Sequence, residues 1–545
     1  MKSGRILYVG ALVVALVVGL GLWKPTHVKA HRERIPRFRV DASWPKELPA
    51  PTGYNLATWP TPTPGDNVAH RWVQGEVAGN CTDQWDNIYT FNRAWQVGAS
   101  VNGVLQNNES GAIDGNDATG AGALPSPPVV AFAPDGRTIK ERSFGNPTLW
   151  LAGAHGAYTG TSAIGRTAYM PYGAHGCFVD YQGYLWVGGN GDGVIQKYNP
   201  AVAGPAGAAA TYVLQIGTKD VCDTASGICG SSLTGANAAL NHSTTLLNEP
   251  PDISVDPEVG PVSGCTGDIY VADGYGNARI VVFNPCKVSP ANPMGYVGQW
   301  GTSCGHNEAP NGTPFPGNPC PLGTYGTGAG HPHCVVLGND GLVYTCDRPN
   351  GRIEVFEKTC ASYGGVSAAT PPPAMVITNP NLPNSSSNQA ICPPKRVIYI
   401  TNFGPENYPA VSSPQVAAAL SAGTRACDID LYPNVDYLAD TAPTSQRYIL
   451  NTDLDGDNNY ILEKPTSGSG DITATSPILG SIGKCGFGPC PGHNAGEFAY
   501  SHTNSSDSKG NFYVAETITG RRIQKFVRVD DDDDHHDHDR DHDHH

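Results

Sequence analysis

Apolar and polar positions alternate along short stretches of this chain, and one arrangement recurs six times. A strand ends in an aromatic–apolar pair, a polar turn follows, and a second strand ends near Phe or Tyr. The copies read WDNIYTFNR (85–93), GYLWVGGNGDGVIQKY (183–198), GDIYVADGYGNARIVVF (267–283), GLVYTCDRPNGRIEVF (341–356), RYILNTDLDGDNNYILEK (447–464) and GNFYVAETITGRRIQKF (510–526). Period-two alternation around Gly, Asn and Asp turns predicts strand hairpins. Long Gly/Pro/Ser/Asn stretches separate the copies, most clearly 201–247 and 359–395. One short helix is expected inside an insertion, with Ser413 as N-cap, Pro414 at the first helical position and Gln415 to Leu420 after it. Six small antiparallel sheets predict an all-β chain folded as a six-bladed β-propeller with long loop insertions over 38–527, an arrangement that protects strand edges by radial repetition. A β-sandwich or β-helix is the alternative.

Composition agrees with a turn-rich chain. It has 545 residues, with Gly 66, Pro 46 and 15% charged residues, against about a quarter charged in an average domain. Net charge is −15. The segment Asp530–His545 contributes −8 of this, from nine Asp and one Arg, which leaves −7 for the rest. No basic face is available for phosphates, which excludes nucleic acid as a partner class. Residues 528–545 have the composition of a disordered Asp/His tail that would bind divalent ions loosely. At the other end, Lys2 and Arg5 precede an apolar run from Ile6 to Leu22, and Val28-Lys29-Ala30 offers a cleavage site. Residues 1–30 therefore read as a signal peptide or signal anchor. The anchor alternative rests on Lys24, Lys29, Arg32, Arg34, Arg37 and Arg39, because basic residues after a span resist translocation, and it would tether the chain to a membrane. The 15 cysteines fit export to the periplasm or beyond. Cys222 with Cys229, Cys304 with Cys320 and Cys485 with Cys490 are close pairs in loops. Cys334 and Cys346 are symmetric about Asp340, so they should face each other across a hairpin. An odd count leaves at least one thiol.

Three histidines stand in register. Eleven residues before Trp186, Tyr344 and Tyr513 lie His175, His333 and His502. These are the second, fourth and sixth copies, so a propeller would relate the histidines by near-threefold rotation and aim them at its axis. Three neutral imidazoles with an open fourth position suit Zn²⁺ or another divalent ion. His155, His242, His306, His331 and His493 lack this register and read as loop residues.

The entry FRVDASWPKELP (38–49) together with YVADGYGNARIVVF (270–283), HCVVLGNDGLVYTCDRPNGRIEVF (333–356) and KGNFYVAETITGRRIQKF (509–526) resembles the NHL-repeat β-propellers. The likeness is greatest to the lyases that cleave peptidyl-α-hydroxyglycine, and their bacterial relatives. That resemblance implies a zinc ion on His175, His333 and His502, a catalytic tyrosine at Tyr275 and a substrate-facing arginine at Arg93. It leaves calcium doubtful, because the family's calcium aspartate falls on Thr503. The Asp453–Asp457 loop does not fit an EF-hand and reads as a solvated hairpin turn. Two functions follow as expectations. One is a metal-dependent lyase or hydrolase taking a small-molecule or peptide substrate at the propeller mouth. The other is a non-catalytic exported propeller binding a protein, peptide or glycan through its loops.

Overall fold

The computed structural model describes residues 35–49, 72–93, 100–101, 104–105, 124–144, 170–171, 173–200, 211–229, 239–256, 267–304, 320, 322–326, 331–358, 360, 392, 394–403, 426–433, 446–454, 456–465, 473–486 and 490–529. The N-terminal segment 1–30, the helix expected at 413–420, the Asp/His tail from Asp530, and His155 and His306 lie outside them. Among the described residues there is no α-helix, and five β-sheets, one of them eight-stranded, form the six blades of a propeller.

Each repeat seen in the sequence is the second and third strand of one blade. Blade 1 runs through Val77–Thr82, Ile88–Asn92 and Val129–Phe132. Blade 2 has four strands from Ala174–Val179 to Thr211–Gly217, and blade 3 four from Asp252–Val255 to Tyr296–Trp300. Blade 4 begins at Val335–Leu337 and blade 5 at Asp428–Tyr432. Their outermost strands, Arg396–Phe403 and Thr473–Ile482, pair parallel and join the two blades into one eight-stranded sheet. Blade 6 begins at Ser501–Ser506. Its outer strand is the N-terminal Arg37–Val40, paired antiparallel with Arg522–Val529, so the first described strand closes the ring. Phe38 packs on Tyr432 and Phe512, and Trp44 packs between Phe132 and Tyr513, which anchors that closure in aromatic contacts.

Two polar devices recur because the hairpins need them. Between first and second strands an Asp accepts turn amides and also holds the aromatic that marks the repeat. Asp180 takes Trp186 Nε1 at 2.9 Å, Asp340 takes Tyr344 Oη at 2.8 Å and Asp507 takes Tyr513 Oη at 2.9 Å. The turn needs a left-handed residue, which is Gly183 in blade 2 and Gly510 in blade 6, whereas blade 1 places Asp86 there at φ 64. Between second and third strands a buried acid pairs with an Arg, which is fully buried in blades 3 and 4 and partly exposed in blade 6: Asp273–Arg279, Asp347–Arg352 and Glu516–Arg522, each at 2.8 Å. Each Arg also donates to loop carbonyls, Ser243 and Leu246 for Arg279 and Thr324 for Arg352, so the pair fixes the incoming chain. Paired in this way, the buried charges are compensated.

The four cysteine pairs expected from the sequence are disulfides: Cys222–Cys229, Cys304–Cys320, Cys485–Cys490 and Cys334–Cys346. Val335 opposes Thr345, which brings the last pair face to face with Cα atoms 4.9 Å apart. Two further disulfides join residues distant in sequence. Cys360–Cys392 brackets the insertion 361–391, and Cys81–Cys177 ties the inner strands of blades 1 and 2. Cys286 is also disulfide-bonded. Such a set fits a chain folded in an oxidising compartment. The Asp453–Asp457 loop is a hairpin turn, but it is not solvated. Asp453 is buried and accepts the Gly456 amide, while Asp457 accepts the Tyr500 amide of blade 6, so the turn is an interblade contact; Asp455 lies outside the described residues.

Candidate metal centre

His175 is the second residue of the inner strand of blade 2, and His502 the second of the inner strand of blade 6. His333 lies two residues ahead of the inner strand of blade 4, where its amide bonds to the Cys346 carbonyl. All three are at least 97% buried. Their ring centroids are 4.3, 4.7 and 5.2 Å apart, and one nitrogen of each falls within 4.8 Å of the others.

A common hydrogen-bond rule orients the rings. Each Nδ1 faces a carbonyl at the start of the next blade around the ring: His175 faces Pro251 at 3.0 Å, His333 faces Cys427, and His502 faces Ala78 at 2.6 Å. A carbonyl only accepts, so Nδ1 carries the proton and Nε2 keeps its lone pair at the axis. Burial, first of all, holds His175 and His333 well below the usual imidazole range. Neighbouring charge adds to this, the other two histidines for His175 and Arg348 for His333. Burial and then Arg93 push His502 down to about 3. The imidazoles are therefore neutral, as ligands must be.

Tyr275 lies between two of them. Its Oη is 3.2 Å from Nε2 of His175 and 3.2 Å from Nε2 of His333. With both nitrogens unprotonated, one phenol proton serves only one of the two contacts. Among the described residues no hydrogen bond is made to His502 Nε2. Three lone pairs and a phenol oxygen converging on one point fit a cation, and bond lengths of about 2.0–2.1 Å for zinc–nitrogen suit such a cluster after a small contraction.

Arg93 follows the second strand of blade 1 and sits in the same group, but its guanidinium faces protein. Nε donates to the Ala174 carbonyl at 3.0 Å. Nη2 donates to Asn190 Oδ1 at 3.0 Å and to the Gly173 carbonyl at 3.3 Å, and Nη1 stands 3.7 Å from Glu76. Arg93 thus latches blade 1 onto blade 2 while its charge reaches the histidines. Thr503, the position of the family's calcium carboxylate, donates its hydroxyl to Asn80 Oδ1 at 2.9 Å.

Sequence reasoning missed three residues of this site. Arg348 is half-buried, and its charge lowers His333, His331 and His502 and opposes the rise that burial imposes on Tyr275. Cys427 is a buried thiol with Sγ 3.7 Å from His333 Nδ1. Asn190 bridges Arg93 and Tyr275. A signal existed in the repeat. Arg93, Asn190 and Arg348 each come directly after the second strand of their blade, and Tyr275 comes two residues after. Those turns surround the mouth above the histidines. His331, expected in a loop, is indeed in one, but it is buried between blades 3 and 4, with its amide bonded to the Gly274 carbonyl.

Residues 330–356, which include His333 and Arg348, match the NHL repeat. The chain is a six-bladed β-propeller in which one segment matches the NHL repeat, and it carries a three-histidine cluster. Over 116 residues it is 34% identical to peptidyl-glycine alpha-amidating monooxygenase B of Xenopus laevis and 32% identical to form A of that frog. The matches cover 21% of this chain and 10% and 9% of those proteins, so the chain spans about a tenth of the length of these relatives. Among solved structures, virginiamycin B lyase of Staphylococcus aureus aligns over 83% of this chain and 84% of its own, with 10% identity and a TM-score of 0.30. A gluconolactonase of Xanthomonas campestris aligns over 91% and 99%, with 10% identity and a TM-score of 0.35.

Proposed function

We propose that the chain is an exported, metal-dependent lyase that cleaves the C–N bond of an α-hydroxyglycine-type substrate at the propeller mouth. The observation that carries this reading is the convergence of three neutral Nε2 atoms with the Tyr275 phenol. The partial likeness to amidating enzymes supports the substrate class, and the N-terminal segment with the disulfides supports export.

His175, His333 and His502 would hold one divalent cation, zinc by its preference for imidazole. When bound, such an ion supplies Lewis acidity to a substrate oxygen. Tyr275 would take the hydroxyl proton, a reading supported by its Oη lying 3.2 Å from Nε2 of His175 and of His333. Burial raises its pKa, and the charges of Arg348 and Arg93 favour the phenolate against that rise. The electrons of the O–H bond then form the carbonyl, those of the C–N bond leave on the amide nitrogen, and that nitrogen takes up a proton. The products are an amide and glyoxylate. Arg93 is the carboxylate-binding residue that the resemblance implies; its fork is engaged by blade 2, and Arg348, whose charge also reaches the histidines, would share that role.

The test is glyoxylate release from a small N-acyl-α-hydroxyglycine by the zinc-loaded protein. Tight metal without glyoxylate would reject the lyase reading and favour the second one, a binding propeller with a structural metal.

A further inference from the structure

The turns after the second strands of blades 1, 2 and 3 stand side by side around the mouth and carry Arg93, Asn190 and Tyr275. Backbone bonds join them. Glu249, in the segment entering blade 3, donates its amide to the Asp192 carbonyl at 3.1 Å and accepts the Tyr275 amide at 3.2 Å. One residue thus pins the turn of Asn190 to the turn of Tyr275. On the other side Asn190 donates its own amide to the Gly173 carbonyl at 3.1 Å, and Arg93 Nη2 donates to that same carbonyl at 3.3 Å.

Between these fixed backbones the half-buried Asn190 side chain has one orientation. Its Oδ1 lies 3.0 Å from Arg93 Nη2. A guanidinium only donates, so the amide oxygen must face Arg93 and the NH2 group must turn away from it. It turns to Tyr275, whose phenol oxygen takes a hydrogen bond from Asn190. Gly173 makes the room for this arrangement. Its backbone is left-handed at φ 63, and a Cβ there would collide with Asn190 Oδ1.

The amide changes what the phenol can do. Oη lies 3.2 Å from Nε2 of His175 and of His333, and both of those atoms are bare lone pairs that accept. Asn190 supplies a donor, which neither histidine can. Oη is therefore an acceptor on its blade 2 side. The phenol's own hydrogen is left on the side of the histidine layer, where a substrate hydroxyl would arrive.

We propose that Asn190 is a positioning residue for the lyase reaction: with its amide turned by Arg93, it holds Tyr275 Oη as an acceptor toward blade 2 and keeps the proton-exchanging side of the phenol toward the metal centre. Arg93 acts on the tyrosine through this amide. The effect on turnover rests on the lyase reading above; the contact itself does not.

The test compares Asn190→Ala and Asn190→Asp in the full chain. The Asp variant keeps an oxygen for Arg93 and gains an ion pair, so it should unfold in urea no earlier than wild type. Its second oxygen, however, faces Oη as an acceptor and draws the phenol hydrogen toward blade 2. Glyoxylate release should lose roughly tenfold in kcat in Asn190→Ala and more in Asn190→Asp, with KM within about twofold of wild type, because Asn190 does not touch substrate. Tightly held zinc should stay at one per chain in both. A role confined to joining blades predicts the opposite order, with Asn190→Asp active and Asn190→Ala impaired, and that order overturns the proposal. A second readout needs neither turnover nor metal. In zinc-free protein carrying tyrosine labelled with carbon-13 at Cζ, the Tyr275 resonance, assigned by its loss in Tyr275→Phe, should move in Asn190→Ala and further in Asn190→Asp. An unmoved resonance overturns the proposal. Wild type that releases no glyoxylate while the resonance moves as expected rejects the lyase reading and keeps the role of Asn190 in holding the phenol.

Discussion

The phenol oxygen of Tyr275 stands 3.2 Å from Nε2 of His333, and the same oxygen is equally far from His175. It is held beside the donor atoms, yet it belongs to a turn of blade 3 that the histidine strands do not form. Replacing Tyr275 with Phe should therefore leave one tightly held zinc per chain and slow glyoxylate release by on the order of 10²-fold or more. Metal analysis and initial rates on the same preparation check both halves.

The three histidines should behave as one unit. His175→Ala, His333→Ala or His502→Ala should each reduce tightly held zinc from one per chain to none after dialysis against a mild chelator, because two imidazoles hold zinc poorly. Truncation after Val529 should leave the tight ion and remove only loosely held ones. A variant with two histidines that retains zinc through the same dialysis would show that the ion sits elsewhere.

Arg93 and Arg348 should separate by readout. Arg93 spans blades 1 and 2, and its loss strands Glu76 and two buried carbonyls. Arg93→Ala should therefore cost about 2–4 kcal/mol in denaturant unfolding. Arg348→Ala should raise KM for carboxylate-bearing substrates roughly tenfold or more, and have less effect on a substrate with the carboxylate esterified. Equal KM effects of both variants would show the carboxylate role shared evenly.

Glu249 gives a pH dependence of known sign. Its backbone is left-handed at φ 60 and its carbonyl accepts the Tyr275 amide. Burial first, then Asp273 and Asp192, push its carboxyl up to about 7. The folded state therefore favours the protonated acid, so this contribution is complete below about pH 4.5 and is lost as pH rises to about 7. Glu249→Gln should stabilise the protein on the order of 1 kcal/mol at pH 8, after allowance for partial solvent screening, and change little at pH 4. Urea unfolding at the two pH values reads the difference.

By itself the sequence determined whatever lies within one hairpin or repeats from hairpin to hairpin. The Asp-and-aromatic turns, the acid–Arg pairs, the Cys334–Cys346 pairing and the eleven-residue offset of the histidines are local, because strand alternation and turn geometry act over a few residues. Six equal copies then imply a ring, and a ring implies that equivalent positions converge. Only the tertiary structure decided what different blades bring together at unequal positions. Cys81 meets Cys177 across 96 residues, Cys427 lies against His333 across 94, and Arg348 enters a site whose tyrosine comes from another blade. It also turned the Arg93 fork into blade 2 and set Asn190 between Arg93 and Tyr275. Those distances depend on the number of blades, on how closely their inner strands approach the axis and on which loops fill the mouth. No spacing along the chain encodes them, because contacts across the axis are set by closure of the whole ring.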